Sequence, residues 1–97
     1  MIQPYQIIDK YYAAFPDLRF VLLHHSEQVK EKALAIASRV PHLQPDLNFI
    51  AEAALLHDIG IIFCNAPRIH CHGTFEYIRH GYLGADILRN EGLEKHA

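Results

Sequence analysis

The sequence predicts an all-α protein, a helical bundle of about five helices. Apolar residues recur at helical spacing over most of the chain, and the longest periodic segment runs from Leu18 to about Val40. Proline and glycine interrupt the pattern at points where helices are expected to end. Strand signals are weak, because Gly60 breaks the one β-like run, residues 59–63. Together these observations favour packed helices over a sheet.

The first two helices are predicted on either side of a Phe-Pro-Asp sequence. Residues 3–14 form a short helical pattern, which ends because the residue before Pro16 is pushed out of the helical region. Asp17 is then the predicted N-cap of the second helix. Helical spacing places a buried stripe on that helix, made of His25, Val29, Ala33 and Ile36.

Three further helices are predicted after Pro41. Asp46 is the expected N-cap of the third helix, whose buried side contains Ile50, Ala53, Ala54 and His57. Gly60 is expected to end it in a left-handed conformation. Residues 61–74 lack clean periodicity and predict a loop with room for one helical turn. Residues 75–79 predict a short helix, and residues 81–90 a longer one that stops at Asn90-Glu91-Gly92.

Length, charge and cysteine content exclude several classes of protein. The chain has 97 residues, enough for one domain with a modest core. A net charge of −2 argues against nucleic acid as the main partner. No apolar run is long enough to cross a bilayer, and no signal peptide is recognisable, so a cytoplasmic location is expected. Cys64 and Cys71 are expected to be free thiols.

The dipeptide His57-Asp58 carries the strongest chemical signal. It follows an Ala/Leu-rich run and precedes Ile59-Gly60, so it lies at a predicted helix end. A carboxylate there faces the negative end of the helix dipole, and a cation or an arginine would relieve that penalty. The alternative is that Asp58 only caps the helix end, and the dipeptide alone is a weak signal.

Other histidines could complete a metal site around this pair. The chain has eight histidines. A buried imidazole of His25 would need a polar partner, either a metal or, in the alternative, a backbone carbonyl. His80 precedes Gly81 at a predicted helix start, where a surface role is equally favoured. Of His70, Cys71 and His72, at most His72 is expected to point toward the centre, and a loop that lines the pocket is the favoured role; His24, His42 and His96 are assigned to the surface or to packing.

The expected cofactor is a divalent metal. Imidazole and carboxylate together suit Mn, Fe, Co, Ni or Zn without choosing among them, and Mg is a further candidate. Such a site lowers the pKa of bound water and polarises a phosphoryl oxygen, with Asp58 as both a ligand and the candidate catalytic residue. Arg68 and Arg79 are candidates for binding a substrate phosphate, and solvated surface arginines are an equal alternative.

Three segments resemble the HD superfamily of metal-dependent phosphohydrolases. The first runs from His25 to Val29, the second from Ala54 to Gly60, and the third from Arg79 to Leu88. The resemblance implies a helical bundle, with His25, His57 and Asp58 as metal ligands and His80 as a ligand for a second metal. It also implies a later Asp ligand that residues 81–97 do not match, so residues 1–97 are expected to be the N-terminal portion of such a domain.

Three functions follow as hypotheses. The first is hydrolysis of a nucleotide or another small phosphate ester, with one or two divalent metals. The second is a non-catalytic metal- or nucleotide-binding remnant of an HD domain, whose uncovered apolar faces favour a homodimer or a partner protein. The third is a purely structural helical domain in which the histidines are coincidental.

Overall fold

Four α-helices and four short 3₁₀ turns account for most of residues 3–97, the part of the chain that this computed structural model describes. The helices are α1 (Pro4–Tyr12), α2 (Pro16–Ser38), α3 (Leu47–Leu56) and α4 (His80–Asn90). The 3₁₀ turns are Pro41–Leu43, Ile59–Phe63, Pro67–Ile69 and Tyr77–Arg79. The all-α prediction is confirmed, and the expected short helix over residues 75–79 is one of the 3₁₀ turns.

The start of α2 differs from the prediction. Its N-cap is Phe15, which makes no side-chain capping bond, and Asp17 lies inside the first turn. Pro16 occupies the first turn of the helix, where its missing N–H needs no partner. Asp17 is therefore not the cap, although a negative charge in the first turn still suits the helix dipole.

The buried stripe of α2 lies one position away from the predicted one. The buried residues are Leu18, Leu22, Ser26 and Ala37, whereas Ile36 is 53% exposed. Apolar residues occur as adjacent pairs along this helix, such as Leu22-Leu23 and Ile36-Ala37. Each pair is compatible with two stripes about 100° apart, so periodicity alone did not fix the phase. His25 consequently lies at the edge of the buried face.

Helix α3 begins as predicted and packs against α2. Asp46 is its N-cap and accepts a hydrogen bond from the Phe49 N–H at 3.0 Å. Ala54 is buried on this helix, together with Leu55 and Leu56. The chain does not stop at the end of α3, since the 3₁₀ turn that follows it is buried at its first three residues, Ile59, Gly60 and Ile61.

Gly60 is required by a close backbone contact and does not adopt a left-handed conformation, so the predicted terminator role is wrong. A Cβ atom on Gly60 would lie 2.2 Å from the His80 carbonyl oxygen and 2.4 Å from the Gly84 nitrogen. The residue therefore lets the 3₁₀ turn touch the backbone of α4. The left-handed glycine is Gly92, with φ of 79°, which follows α4 where the sequence predicts its end.

A two-stranded hairpin lies within the segment predicted as loop. Strand β1 (Asn65–Ala66) pairs antiparallel with β2 (Cys71–His72), with Asn65 opposite His72 and Ala66 opposite Cys71. His70 adopts a left-handed conformation with φ of 66° at the turn. Cys64 and Cys71 are buried free thiols, as predicted.

The core joins all four helices to the 3₁₀ turn after α3. Its buried members are Ile8, Tyr12, Leu18, Leu22, Leu56, Ile59, Ile61, Cys71, Ile87 and Leu88. Across residues 3–97, the helices include none with the length and apolar character needed to cross a membrane.

Tyr12 fixes α1 to the segment that follows Asp58. Its buried hydroxyl donates a hydrogen bond to the Ile59 carbonyl oxygen at 2.5 Å and accepts one from the Ile62 N–H at 3.2 Å. Replacing Tyr12 with Phe leaves both backbone groups without that partner. We expect Tyr12→Phe to lower the free energy of unfolding by about 1–3 kcal/mol in urea titrations, and Tyr11→Phe to have little effect. Equal stability of the two variants would contradict this role.

Candidate metal centre

Three elements of the fold bring four polar side chains to one point. His25 lies in the middle of α2, and His57 and Asp58 directly follow α3. His80 is the first residue of α4 and is held close to Asp58 by the contact between Gly60 and the α4 backbone. The sequence singled out these same four residues, and the structure brings all of them together.

The three imidazoles converge on the carboxylate of Asp58. The Nε2 atoms of His25 and His57 lie 3.0 and 3.1 Å from its Oδ2 atom. The Nε2 atom of His80 lies 3.3 Å from its Oδ1 atom. One donor atom from each of His25, His57 and Asp58 lies within 4.8 Å of the others. Such a set of atoms is compact enough to surround a single cation.

Backbone carbonyls fix the orientation of two of the rings. The Nδ1 atom of His57 lies 2.6 Å from the Ala54 carbonyl oxygen, and that of His80 lies 2.7 Å from the Tyr77 carbonyl oxygen. A carbonyl oxygen can only accept, so each Nδ1 must carry the proton. In a neutral ring the Nε2 atom then presents its lone pair toward Asp58. This is the tautomer that a metal-ligating histidine adopts.

The donor set fits a divalent metal. A neutral Nε2 and a carboxylate oxygen facing each other at 3.0–3.3 Å repel unless a proton or a cation lies between them. Protonating all three rings would place three positive charges around one carboxylate. Ligands about 2.1 Å from one ion are themselves about 3 Å apart when they are neighbours in its coordination sphere. The observed separations therefore match the spacing of first-sphere ligands.

The imidazoles are more exposed than the sequence predicted. The side chain of His25 is 54% exposed and that of His57 is 37% exposed, whereas that of Asp58 is 13% exposed. The expectation that His25 and His57 point into the core is wrong, because the buried stripe of α2 lies one residue further along and His57 follows the end of α3. The site is thus a surface site with a shielded carboxylate, open to a small molecule.

Hydrogen bonding between neighbours alters two pKa values in the metal-free protein. The hydrogen bond from His57 lowers the pKa of Asp58, against the opposing effect of burial. The same bond raises the pKa of His57. Asp58 therefore stays ionised at neutral pH and presents a negative charge to the three imidazoles.

These shifts predict how the stability of the metal-free protein changes with pH. The raised pKa of His57 contributes stability that is complete below about pH 6.5 and is lost as the pH rises through the folded-state pKa. The lowered pKa of Asp58 contributes stability above about pH 4 that is lost on acidification through its own folded-state pKa. We expect urea titrations with chelator to give a larger stability difference between the wild type and His57→Gln at pH 5 than at pH 8. A difference that grows toward pH 8 would contradict the assignment.

A pocket of about 240 Å³ opens beside the carboxylate. Its lining consists of His25 and Asp58 with Val21, Leu22, Ile61, Ile69 and Tyr77. The Tyr77 ring also stacks on His80, with centroids 4.7 Å apart. The sequence analysis missed Tyr77, although its position three residues before His80 in a short helical segment could have indicated a contact with that ring.

The remaining candidate residues lie elsewhere. His72 lines a different pocket with His70 and Phe15, so it does not reach the centre. Ile69, from the same loop, lines the pocket beside Asp58. Arg68 and Arg79 are exposed, and neither belongs to the lining of the pocket beside Asp58.

His24 and His96, which the sequence assigned to the surface or to packing, each contact an aromatic ring outside the metal centre. His24 stacks on the exposed ring of Phe20. His96 packs on Phe49 and lies 3.1 Å from the carboxylate of Glu52.

Comparisons with known proteins agree with the geometry of this site. The family model described as HD domain matches residues 22–96, which include all four converging side chains. Over 73 residues the chain is 41% identical to a tRNA (cytidine(56)-2'-O)-methyltransferase from Thermoplasma volcanium. That stretch covers 75% of this chain and 18% of the methyltransferase, so the chain spans less than a fifth of that relative. A search of solved structures gave no significant match. HD domains bind divalent metals, and this chain belongs to the HD-domain family.

Proposed function

We propose that this HD domain is a metal-dependent phosphohydrolase that acts on a small phosphate ester, such as a nucleotide. The observation that carries the proposal is the convergence of three imidazole nitrogens on the single carboxylate of Asp58. The adjoining pocket gives a substrate access to this point. His25, His57, Asp58 and His80 are the proposed metal ligands.

Each side chain has a defined part in this proposal. A divalent ion bound there would supply a Lewis acid for a phosphoryl oxygen and for a water molecule. Asp58 contributes the negative charge that holds the cation, since hydrogen bonding keeps the pKa of its carboxyl low. His57 and His80 are held in one tautomer by the Ala54 and Tyr77 carbonyls, so their Nε2 atoms are ready to bind without reorientation.

The two oxygens of Asp58 face different histidines, which supports a site with two metals. The Oδ2 atom lies near His25 and His57, and the Oδ1 atom lies near His80. Oδ2 with His25 and His57 would hold one cation, and Oδ1 with His80 would contribute to holding a second, which would supply further Lewis-acid stabilisation of a phosphoryl group. The identity of the metal among Mn, Fe, Co, Ni, Zn and Mg is not selected by nitrogen and oxygen donors alone.

A non-catalytic role is the second candidate function. The similar protein from Thermoplasma volcanium is named as a methyltransferase, and the matching stretch is 18% of its length. This observation favours an HD unit that serves as a metal- or nucleotide-binding segment beside another activity. The exposed apolar residues Ile36, Leu43 and Leu47 near the α2–α3 connection give such a unit a surface for a second copy or a partner.

Phosphate release from a panel of nucleotides and simple phosphate esters distinguishes the two functions. We expect turnover with Mn²⁺ or Co²⁺ that chelator abolishes. Loss of a residue that only hydrogen-bonds to a metal ligand typically lowers metal affinity or activity by about 10–100-fold. His25→Ala removes a proposed ligand itself, so turnover and metal affinity should both fall at least as much. His24→Ala is the matched control, because the His24 ring stacks on Phe20 and does not line the pocket beside Asp58.

The results of the phosphate-release assay distinguish the two candidate functions. Metal retention without turnover on any ester would support the non-catalytic module. Equal turnover of His25→Ala and His24→Ala would refute the proposed metal centre.

A further inference from the structure

The pocket beside Asp58 has an unusual composition for a site that accepts a phosphorylated molecule. Apart from His25 and Asp58, the lining is made of Val21, Leu22, Ile61, Ile69 and the Tyr77 ring. No lysine or arginine contributes to the lining of this pocket within residues 3–97. The phosphate and the rest of the substrate must therefore bind in separate ways, the phosphate at the ligand cluster and the remainder against apolar side chains.

We propose that this pocket selects phosphate monoesters whose alcohol portion is one compact, uncharged ring, bound between Ile69 and Tyr77. The inference rests on the proposed phosphohydrolase function and names its substrate class. Among the small phosphate esters of that proposal it favours single-ring esters over nucleotides, whose alcohol portion joins a sugar to a base. Tyr77 acts as a specificity-determining residue, because its ring both lines the pocket and stacks on His80. A ring bound there would lie next to the carboxylate around which the phosphate is bound.

Charge argues against a polyphosphate chain as the preferred substrate. Sites that hold several phosphates use Arg, Lys or backbone N–H groups to bind the additional negative charges. The side chains beyond His25 and Asp58 offer the Tyr77 hydroxyl as their one polar group. A second or third phosphate in this pocket would be desolvated without a partner, which is costly.

Size argues for a single ring. The pocket volume of about 240 Å³ is below the about 300–1,000 Å³ typical of pockets that enclose a drug-sized ligand. A single ring fits this volume, whereas the two linked nucleosides of a dinucleotide do not. Apolar and aromatic walls of this kind stabilise a ring through burial of its faces.

Binding of two phosphonates tests the inference without requiring turnover. Phenylphosphonate and methylphosphonate share a headgroup that the enzyme cannot hydrolyse, and they differ in the ring. In calorimetry with Mn²⁺-loaded protein, we expect phenylphosphonate to bind about tenfold more tightly. Ile69→Gln should remove most of that difference in affinity. Val21→Gln, which changes a lining residue on α2, should also reduce the difference and serves as the test if Ile69→Gln does not fold. Ile78→Gln is the control, because Ile78 is 84% exposed and lies outside the lining.

Turnover gives the second readout. The ratio of kcat/KM for phenyl phosphate to kcat/KM for glycerol phosphate should fall about tenfold in Ile69→Gln, and this ratio cancels any general loss of activity. Equal binding of the two phosphonates by the wild type, or a preference for the phenyl compound that survives in both wall variants, would overturn the inference. A preference in binding with no turnover of either ester would leave the pocket assignment standing and would refute the phosphohydrolase function.

Discussion

Asp58→Asn should abolish metal-dependent turnover, with a loss of about a thousandfold or more. The carboxylate is the one acidic group on which His25, His57 and His80 converge, and both of its oxygens face imidazole nitrogens. An amide keeps the shape of the side chain but removes the negative charge, and its NH₂ group cannot bind a cation. The metal would then be held by neutral nitrogens alone.

Metal content and phosphate release should be measured on the same preparations of Asp58→Asn. The matched control is Asp86→Asn, since Asp86 is an exposed residue of α4 that pairs with Arg89. We expect the control to retain wild-type metal content and activity. An Asp58→Asn variant that keeps full turnover would remove the basis of the proposed function.

Gly60→Ala should strongly destabilise this fold, because the added methyl group has no space beside the α4 backbone. The added Cβ would lie 2.2 Å from the His80 carbonyl oxygen and 2.4 Å from the Gly84 nitrogen, both of which are backbone atoms. Neither can move aside by changing a rotamer, so α4 must shift as a unit. Overpacking of this kind costs about 1–3 kcal/mol and occasionally more, and we expect at least about 3 kcal/mol here.

Gly81→Ala is the matched control for this prediction. A Cβ on Gly81 meets no atom within 4 Å, and the residue lies in the first turn of α4. Alanine is the better helix former, so the free energy of unfolding should stay constant or rise by up to about 1 kcal/mol. Urea unfolding of the two variants gives the comparison directly. Equal destabilisation would show that the contact between Gly60 and α4 is not the constraint we describe.

Metal affinity of the Gly60→Ala variant gives a further check on the same contact. The shift of α4 would carry His80 away from Asp58, so a second metal should bind more weakly than in the wild type. Binding at His25 and His57 depends on α2 and α3 and should be affected less.

The composition of the site was predictable from the sequence because it depends on local patterns. His57-Asp58 after an Ala/Leu-rich run, and His80 before a glycine-containing helix, place their side chains at element ends where the fold joins them. The degree to which the His25 and His57 side chains are buried was not predictable in the same way. The phase of the α2 stripe depends on which of two adjacent apolar residues packs against α3, and that choice is made by tertiary contacts.

Two other residues were misjudged, Gly60 because of long-range packing and Tyr77 because of a contact within one short segment. Gly60 was expected to adopt a left-handed backbone, yet its lack of a side chain allows a contact with His80 and Gly84, which come twenty or more positions later in the chain. Tyr77 was not singled out, because its importance comes from a carbonyl and a ring that both contact His80. Pattern analysis detects periodicity along one segment, and it cannot detect a backbone approach between two segments.

The most direct test of the central claim is a crystal structure of the protein grown with Mn²⁺, with the anomalous signal used to locate the metal. We predict an anomalous peak within bonding distance, about 2.0–2.3 Å, of Nε2 of His25, Nε2 of His57 and a carboxylate oxygen of Asp58. Full Mn²⁺ occupancy elsewhere on the molecule, with no peak among these three side chains, would contradict the account.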